Sequence, residues 1–370
     1  MRNRDARLRL LAQALIIYNI GTLFRIVTLA FFAMLNSASL AELLGKWDAG
    51  YYLAIAENGY FSADLKTDGP VHHRTLAFFP GFPALTRLVH ELTGLEMAAA
   101  ATAVNLVAGV ALTAGAMAIA ERMGAGRAGM LGAGILASSA PMSITFAMPY
   151  TEAVFGALAF WAIVALMDRR WGIAAGLIFL LGFVRLTAVA LILVFGLVVL
   201  VHARRDWRAW ACLALTPWSL LGYVAWASWH SREVGGYFGV QEAGWHSGFD
   251  FGGATLRWVW KVLTTSGEAG YLLSVAVMAA AVVALVAARG RVPWEVWWFS
   301  AVLSATVLLS DGIMHSRPRL LLPAVILLLP WVLWAAENLP RRWQLGLAAG
   351  WVGFGAWFSA YMLGVFPWAI

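Results

Sequence analysis

Residues 98–120 read AAAATAVNLVAGVALTAGAMAIA, without a charged side chain from one end to the other. As a helix rising about 1.5 Å per residue this run is roughly 34 Å long, enough to cross the ~30 Å hydrocarbon core of a bilayer. Apolar runs recur around it at 10–34, 128–147, 152–168, 171–184, 187–201, 208–229, 271–288, 294–310, 319–336 and 343–366. Over 370 residues, 62% hydrophobic and 12% charged side chains exclude a soluble globular domain. Backbone polar groups in hydrocarbon must be satisfied internally, which leaves helices or a closed barrel. The alternating ~10-residue segments of a barrel are missing. The expected class is therefore all-α: a polytopic membrane protein of about ten or eleven transmembrane helices, built as one integrated domain over 1–370. The count turns on 171–201, which holds either one long tilted helix or two short spans meeting near Arg185. Basic residues on both flanks favour two.

The basic residues orient the chain. Arg122 and Arg127, Arg169 and Arg170, Arg204, Arg205 and Arg208, Arg289 and Arg291, and Arg341 and Arg342 fall in alternate short loops. Joined to Arg2, Arg4, Arg7 and Arg9 on the cytoplasmic side, they satisfy the positive-inside rule, with the N-terminus inside. The first run is too long for a signal-peptide core and reads as a retained helix. Most of the net charge of +7 is this orientation signal, so nucleic acid is not an expected partner. Cys212 is the only cysteine, which excludes an internal disulfide and thiol-ligated metal chemistry.

Two gaps are too long for turns, 35–97 and 230–270, and both fall outside under this topology. Each is rich in Trp and Tyr, as suits short helices lying along the interface. The first contains WDAGYYLAIAENGY at 47–60 and LAFFPGFP at 76–83. Asp48 stands between Trp47 and a face formed by Tyr51, Tyr52 and Ile55 at helical spacing. Its carboxylate is either a helix cap or a general base. Glu57 would lie on another face and orient backbone. His72 and His73 point in different directions on most backbones and make a poor metal pair; they either hydrogen-bond a ligand or are solvated. Glu152, at the next outer turn after Tyr150 and Thr151, is either a cap or a ligand. Gln241, Glu242, Trp245, His246 and Asp250 combine aromatic and hydrogen-bonding groups suited to a sugar ring. Arg185 interrupts an apolar run and must pair with carbonyls, a carboxylate or a phosphate. Arg317 and Arg319 flank Pro318 after His315, a spacing that suits either a phosphate grip or lipid head groups.

Trp47-Asp48-Ala49, Ile55-Ala56-Glu57, Gly59-Tyr60, the 77–83 segment, Tyr150-Thr151-Glu152-Ala153 with Phe155, Gly182 to Arg185, and Arg317 to Leu321 occur in the order seen in the PIG-V family, which the chain resembles over roughly 40–325. These are the mannosyltransferases that add the second mannose in GPI-anchor assembly, with their bacterial relatives. Arg185 is followed here by Leu-Thr, where eukaryotic members tend to have Ser-Asn. The resemblance implies a GT-C glycosyltransferase with its site facing away from the cytoplasm; the short loops, compact length and Ala/Gly/Arg-rich composition point to a bacterial relative, in the plasma membrane of a bacterium. It implies a polyprenyl-phosphate-mannose donor, inverting transfer to a glycolipid or lipoglycan acceptor, and contact with membrane lipids. Asp48 would be the catalytic residue of the first outer loop. Arg185, Arg317, Arg319 and His73 would face the donor phosphate. Trp47, Tyr52, Glu57, His72, Glu152, Gln241, Trp245 and His246 would line the substrates. No cofactor or metal is expected. The rival readings are a lipid or lipid-linked-sugar flippase, which would show related halves and midplane charges, and a non-catalytic lipid-binding scaffold.

Overall fold

The computed structural model describes residues 2–61 and 74–370. Its helices are α1 (Arg2–Leu35), α2 (Leu40–Leu44), α3 (Asp48–Asn58), α4 (Gly81–Thr93), α5 (Met97–Arg122), α6 (Arg127–Ser138), α7 (Glu152–Met167), α8 (Trp171–Gly182), α9 (Val189–His202), α10 (Trp207–Leu215), α11 (Trp218–His230), α12 (Gly236–Trp245), α13 (Gly253–Thr265), α14 (Ala269–Ala287), α15 (Trp294–Leu308), α16 (Arg317–Leu320), α17 (Leu329–Asn338) and α18 (Arg341–Gly364). Among the described residues there is no strand, only an isolated bridge between Phe249 and Ser310.

Among the described residues, four stretches are long and apolar enough to cross a membrane unaided: α1 from Arg7, α5, α10 with α11, and α14. A fifth, Met314–Leu320 with Leu322–Asn338, is bent by 60°. Pro318 and Pro323 explain the break, since each removes a backbone donor. α7, α8, 186–202 and α15 are shorter apolar helices, below the ~20 residues of an upright crossing. The stretch 171–201 forms two helices, broken at Phe183–Arg185.

The run 128–147 needs correction. α6 ends at Ser138, and residues 139–151 fold as a compact irregular segment around a 3-10 turn at Ser143–Phe146. Pro141 cannot continue the helix, and other side chains take up the backbone carbonyls so released. The Tyr18 hydroxyl donates to Phe146 O at 3.1 Å, and Asn105 Nδ2 donates to Tyr150 O at 3.1 Å and to Met148 O. Arg25, almost wholly buried in α1, donates to Ser138 O and, at 3.2 Å, to Ser143 Oγ.

α5 lies against α1, α6 and α7, and α18 packs on α1. Small residues permit these approaches. A Cβ at Gly355 would overlap the Ser139 carbonyl oxygen, a backbone atom that no rotamer change moves aside. Gly355→Ala is therefore expected to cost about 1–3 kcal/mol as α18 is pushed away. An unchanged midpoint in thermal unfolding of the detergent-solubilised protein would contradict this packing.

The two long gaps carry the short helices expected there, α2 to α4 in the first and α12 and α13 in the second. Asp250 N and Gly252 N both donate to Leu309 O at 3.2 Å, and Asp311 N donates to Gly248 O at 2.6 Å. The second gap is thereby clipped to the end of α15. Trp245 in turn lies edge-on to Phe78 of the first gap, ring centroids 5.4 Å apart. Both gaps close over one cavity.

Candidate functional site

That cavity has a volume of about 830 Å³ and is walled by both gaps, the α8–α9 break, α15 and the segment 310–320. Asp48 reaches it from the first turn of α3. Trp47, just before it, holds φ +62°, ψ −124°, outside the favoured backbone regions and unusual for a bulky side chain. Such strain persists only where surrounding contacts impose it. Here the Asp48 N–H donates to the Tyr150 hydroxyl at 3.2 Å, and that hydroxyl donates in turn to Lys46 O at 3.4 Å. The side chain of Asp48 does not cap α3. Its Oδ2 accepts from Arg319 Nη2 at 2.6 Å.

From there the charges alternate. Arg319 lies over the Tyr150 ring, 4.9 Å from its centroid, and its Nη1 is 4.0 Å from Glu152 Oε1. The same oxygen accepts from Arg185 Nη1 at 2.9 Å. Glu152 is 3% exposed, and its Oε2 has no hydrogen-bond partner among the described residues. It sits behind the wall, at the first residue of α7, and holds two arginines that do line the cavity. Neither a cap nor a direct lining residue, it joins the arginine of the α8–α9 break to that of α16.

Arg317 also lines the cavity but is held elsewhere, donating to Thr255 Oγ1 and Ser310 O. The spacing of two around Pro318 thus brings both guanidinium groups to one cavity from separate anchorages. Tyr52 lines the cavity floor, packed edge-on to Phe78 and Phe82. Burial raises its phenol to about 12, so it stays a neutral hydrogen-bond donor. Gln241 and Trp245 line the cavity too. Gln241 Nε2 donates to Ala77 O at 3.1 Å and to the Tyr237 hydroxyl at 3.0 Å.

Other sequence-expected residues lie apart. Trp47 and His246 do not line the cavity, and His246 is exposed at the end of α12. Glu57 is exposed beside a separate recess with Arg87, His90 and Glu91. His315 packs on Tyr271 and Phe366. His72 and His73 lie outside the described residues. Asp311 was missed, although Ser310-Asp311-Gly312 interrupts two apolar runs and is itself a turn signal. Tyr150, whose hydroxyl anchors the Asp48 backbone, gave no signal beyond its place beside Glu152.

The cavity is amphipathic. Its lining combines Arg185, Arg317, Arg319 and Asp48 with Val184, Leu186, Val189, Trp298, Ala301 and Val302. The chain is similar in structure to ArnT from Cupriavidus metallidurans, solved bound to undecaprenyl phosphate. The TM-score is 0.56 at 15% sequence identity, over 94% of this chain and 76% of ArnT. No protein-family model and no curated protein matches the sequence. The likeness is one of fold, between helical bodies, and this chain's own apolar helices are long enough to cross a membrane.

Proposed function

We propose that the protein is a membrane glycosyltransferase that moves a mannosyl residue from a polyprenyl-phosphate donor to a glycolipid or lipoglycan acceptor. The observation that carries this reading is the single cavity in which a carboxylate and three arginines meet an apolar wall. Such a cavity suits an amphiphile with an anionic head and a hydrocarbon tail. The undecaprenyl phosphate bound to ArnT supports the same ligand class, and the PIG-V resemblance supports mannose. The basic-loop pattern supports a cytoplasmic N-terminus and an extracytoplasmic site, in a bacterial plasma membrane.

In the proposed reaction the acceptor hydroxyl attacks the anomeric carbon as the bond to phosphate oxygen breaks, which inverts that centre. Asp48 takes the hydroxyl proton as general base. Arg319, Arg185 and Arg317 stabilise the charge on the departing polyprenyl phosphate. Asp48 Oδ2 is occupied by Arg319 at 2.6 Å. A donor phosphate that draws the guanidinium toward itself relieves that pairing, so donor binding prepares the base. No resident cofactor or metal enters the scheme.

The test is a transfer assay with purified protein in lipid nanodiscs, labelled polyprenyl-phosphate mannose and a glycolipid extract. Polyprenyl phosphate and a labelled glycolipid are the expected products. Arg185→Gln is expected to raise the donor KM about tenfold through loss of a charged hydrogen bond. Movement of intact donor across proteoliposome membranes, without sugar transfer, would favour the flippase instead.

A further inference from the structure

Asp311 differs from the other acids at the cavity. Asp48 and Glu152 are each paired with arginine, whereas Asp311 lines the cavity with no ion pair within 4.0 Å among the described residues. Its Oδ1 accepts from Gly312 N at 2.7 Å. For its other oxygen, no hydrogen bond is found among the described residues. Arg317 is close in sequence, but its two terminal nitrogens donate to Thr255 Oγ1 and Ser310 O.

The backbone around Asp311 is held firmly. Asp311 N donates to Gly248 O at 2.6 Å, and Ser310 bridges Phe249. Gly312 takes φ +135°, a conformation that L side chains rarely adopt. A Cβ there would lie 3.7 Å from Trp245 O and 3.0 Å from Ser247 Oγ. The turn carrying the carboxylate therefore abuts the end of α12, whose Trp245 also lines the cavity. A carboxylate that accepts from hydroxyls and an indole that packs on C–H groups, both lining one cavity, are a combination suited to a pyranose.

Resting on the proposed function, we infer that Asp311 and Trp245 form the subsite for the donor's sugar and that Asp311 accepts hydrogen bonds from its ring hydroxyls. The donor's sugar is favoured over the acceptor's by connectivity. Arg317 is tied to Ser310 O, directly before Asp311, so the sugar subsite and the phosphate-facing arginine share one short segment. A sugar esterified to that phosphate is only a bond or two away. The apolar wall binds the chain, the arginines the phosphate, and Asp311 with Trp245 the sugar.

The experiment compares binding of two lipids with the same chain, polyprenyl phosphate and polyprenyl-phosphate mannose, to the full protein in nanodiscs. The wild type is expected to bind the sugar-bearing lipid about tenfold tighter, in line with one hydrogen bond to a charged acceptor. Asp311→Asn keeps an oxygen for Gly312 N but replaces the other acceptor by an amide donor. It is expected to bring the ratio close to one while binding of bare polyprenyl phosphate stays within about twofold. Asp311→Glu restores a carboxylate and is expected to recover part of the ratio. The subsite is overturned by a wild-type ratio near one, by a ratio that survives Asp311→Asn, or by equal loss for both lipids. A further overturning result is unchanged binding of both lipids with turnover abolished, which would make Asp311 a base instead. If the wild type binds neither lipid, the proposed function itself fails, a result distinct from all of these.

Discussion

Asp48→Asn is expected to reduce sugar transfer by about 10²–10⁴-fold, the usual contribution of a positioned general base, with little change in folding or donor binding. The amide oxygen of Asn can still accept from Arg319, which donates to Asp48 Oδ2 at 2.6 Å. The backbone bond from residue 48 to the Tyr150 hydroxyl does not depend on the side chain. What the variant loses is the site that receives the acceptor's proton. Turnover should be measured at saturating donor, with thermal unfolding and polyprenyl-phosphate binding alongside. A variant that keeps near-wild-type turnover removes Asp48 from the mechanism, and one that fails to bind the lipid shows instead that the Asp48–Arg319 pair builds the phosphate site.

Glu152→Ala is expected to be the most destabilising of these substitutions. It leaves Arg185 without its carboxylate and Arg319 with only Asp48. Removing one member of a buried charge pair costs about 3–5 kcal/mol, because the remaining charge stays desolvated. The cost should lie near the lower end of that range, since Arg185 is 18% exposed at its side chain and Arg319 keeps one partner. Glu152→Gln retains an oxygen for Arg185 Nη1 and should lose less. Thermal unfolding in detergent separates the two variants. If the alanine variant melts with the wild type, Glu152 does not hold the arginines together.

The helical membrane fold was legible because long uncharged runs such as 98–120 have one physical solution in hydrocarbon. The interruptions were harder to read. Hydropathy carried 128–147 as one span, because Met142, Ile144 and Phe146 are as apolar in a 3-10 turn as in a helix. Pro141 was the sole local hint, and the partners that stabilise the break, Tyr18, Arg25 and Asn105, are remote in sequence. At the site, Asp48, Arg185, Arg317 and Arg319 could be singled out because a charge in an apolar chain needs a reason. Their grouping could not, since Asp48 and Arg319 are 271 positions apart. Glu57 shows the limit of proximity in sequence: it shares α3 with Asp48 yet faces a different recess. Composition alone points to Gln241 and Trp245, and it is the clip between the second gap and α15 that brings them to the cavity.

Arg25 has a consequence for how the chain is made. It is buried in α1, and two of its hydrogen-bond partners, Ser138 O and Ser143 Oγ, come 113 and 118 residues later. Only Thr22, three residues away, offers a local acceptor. α1 on its own therefore carries a guanidinium without its main acceptors, so its burial in a bilayer depends on the turn after α6.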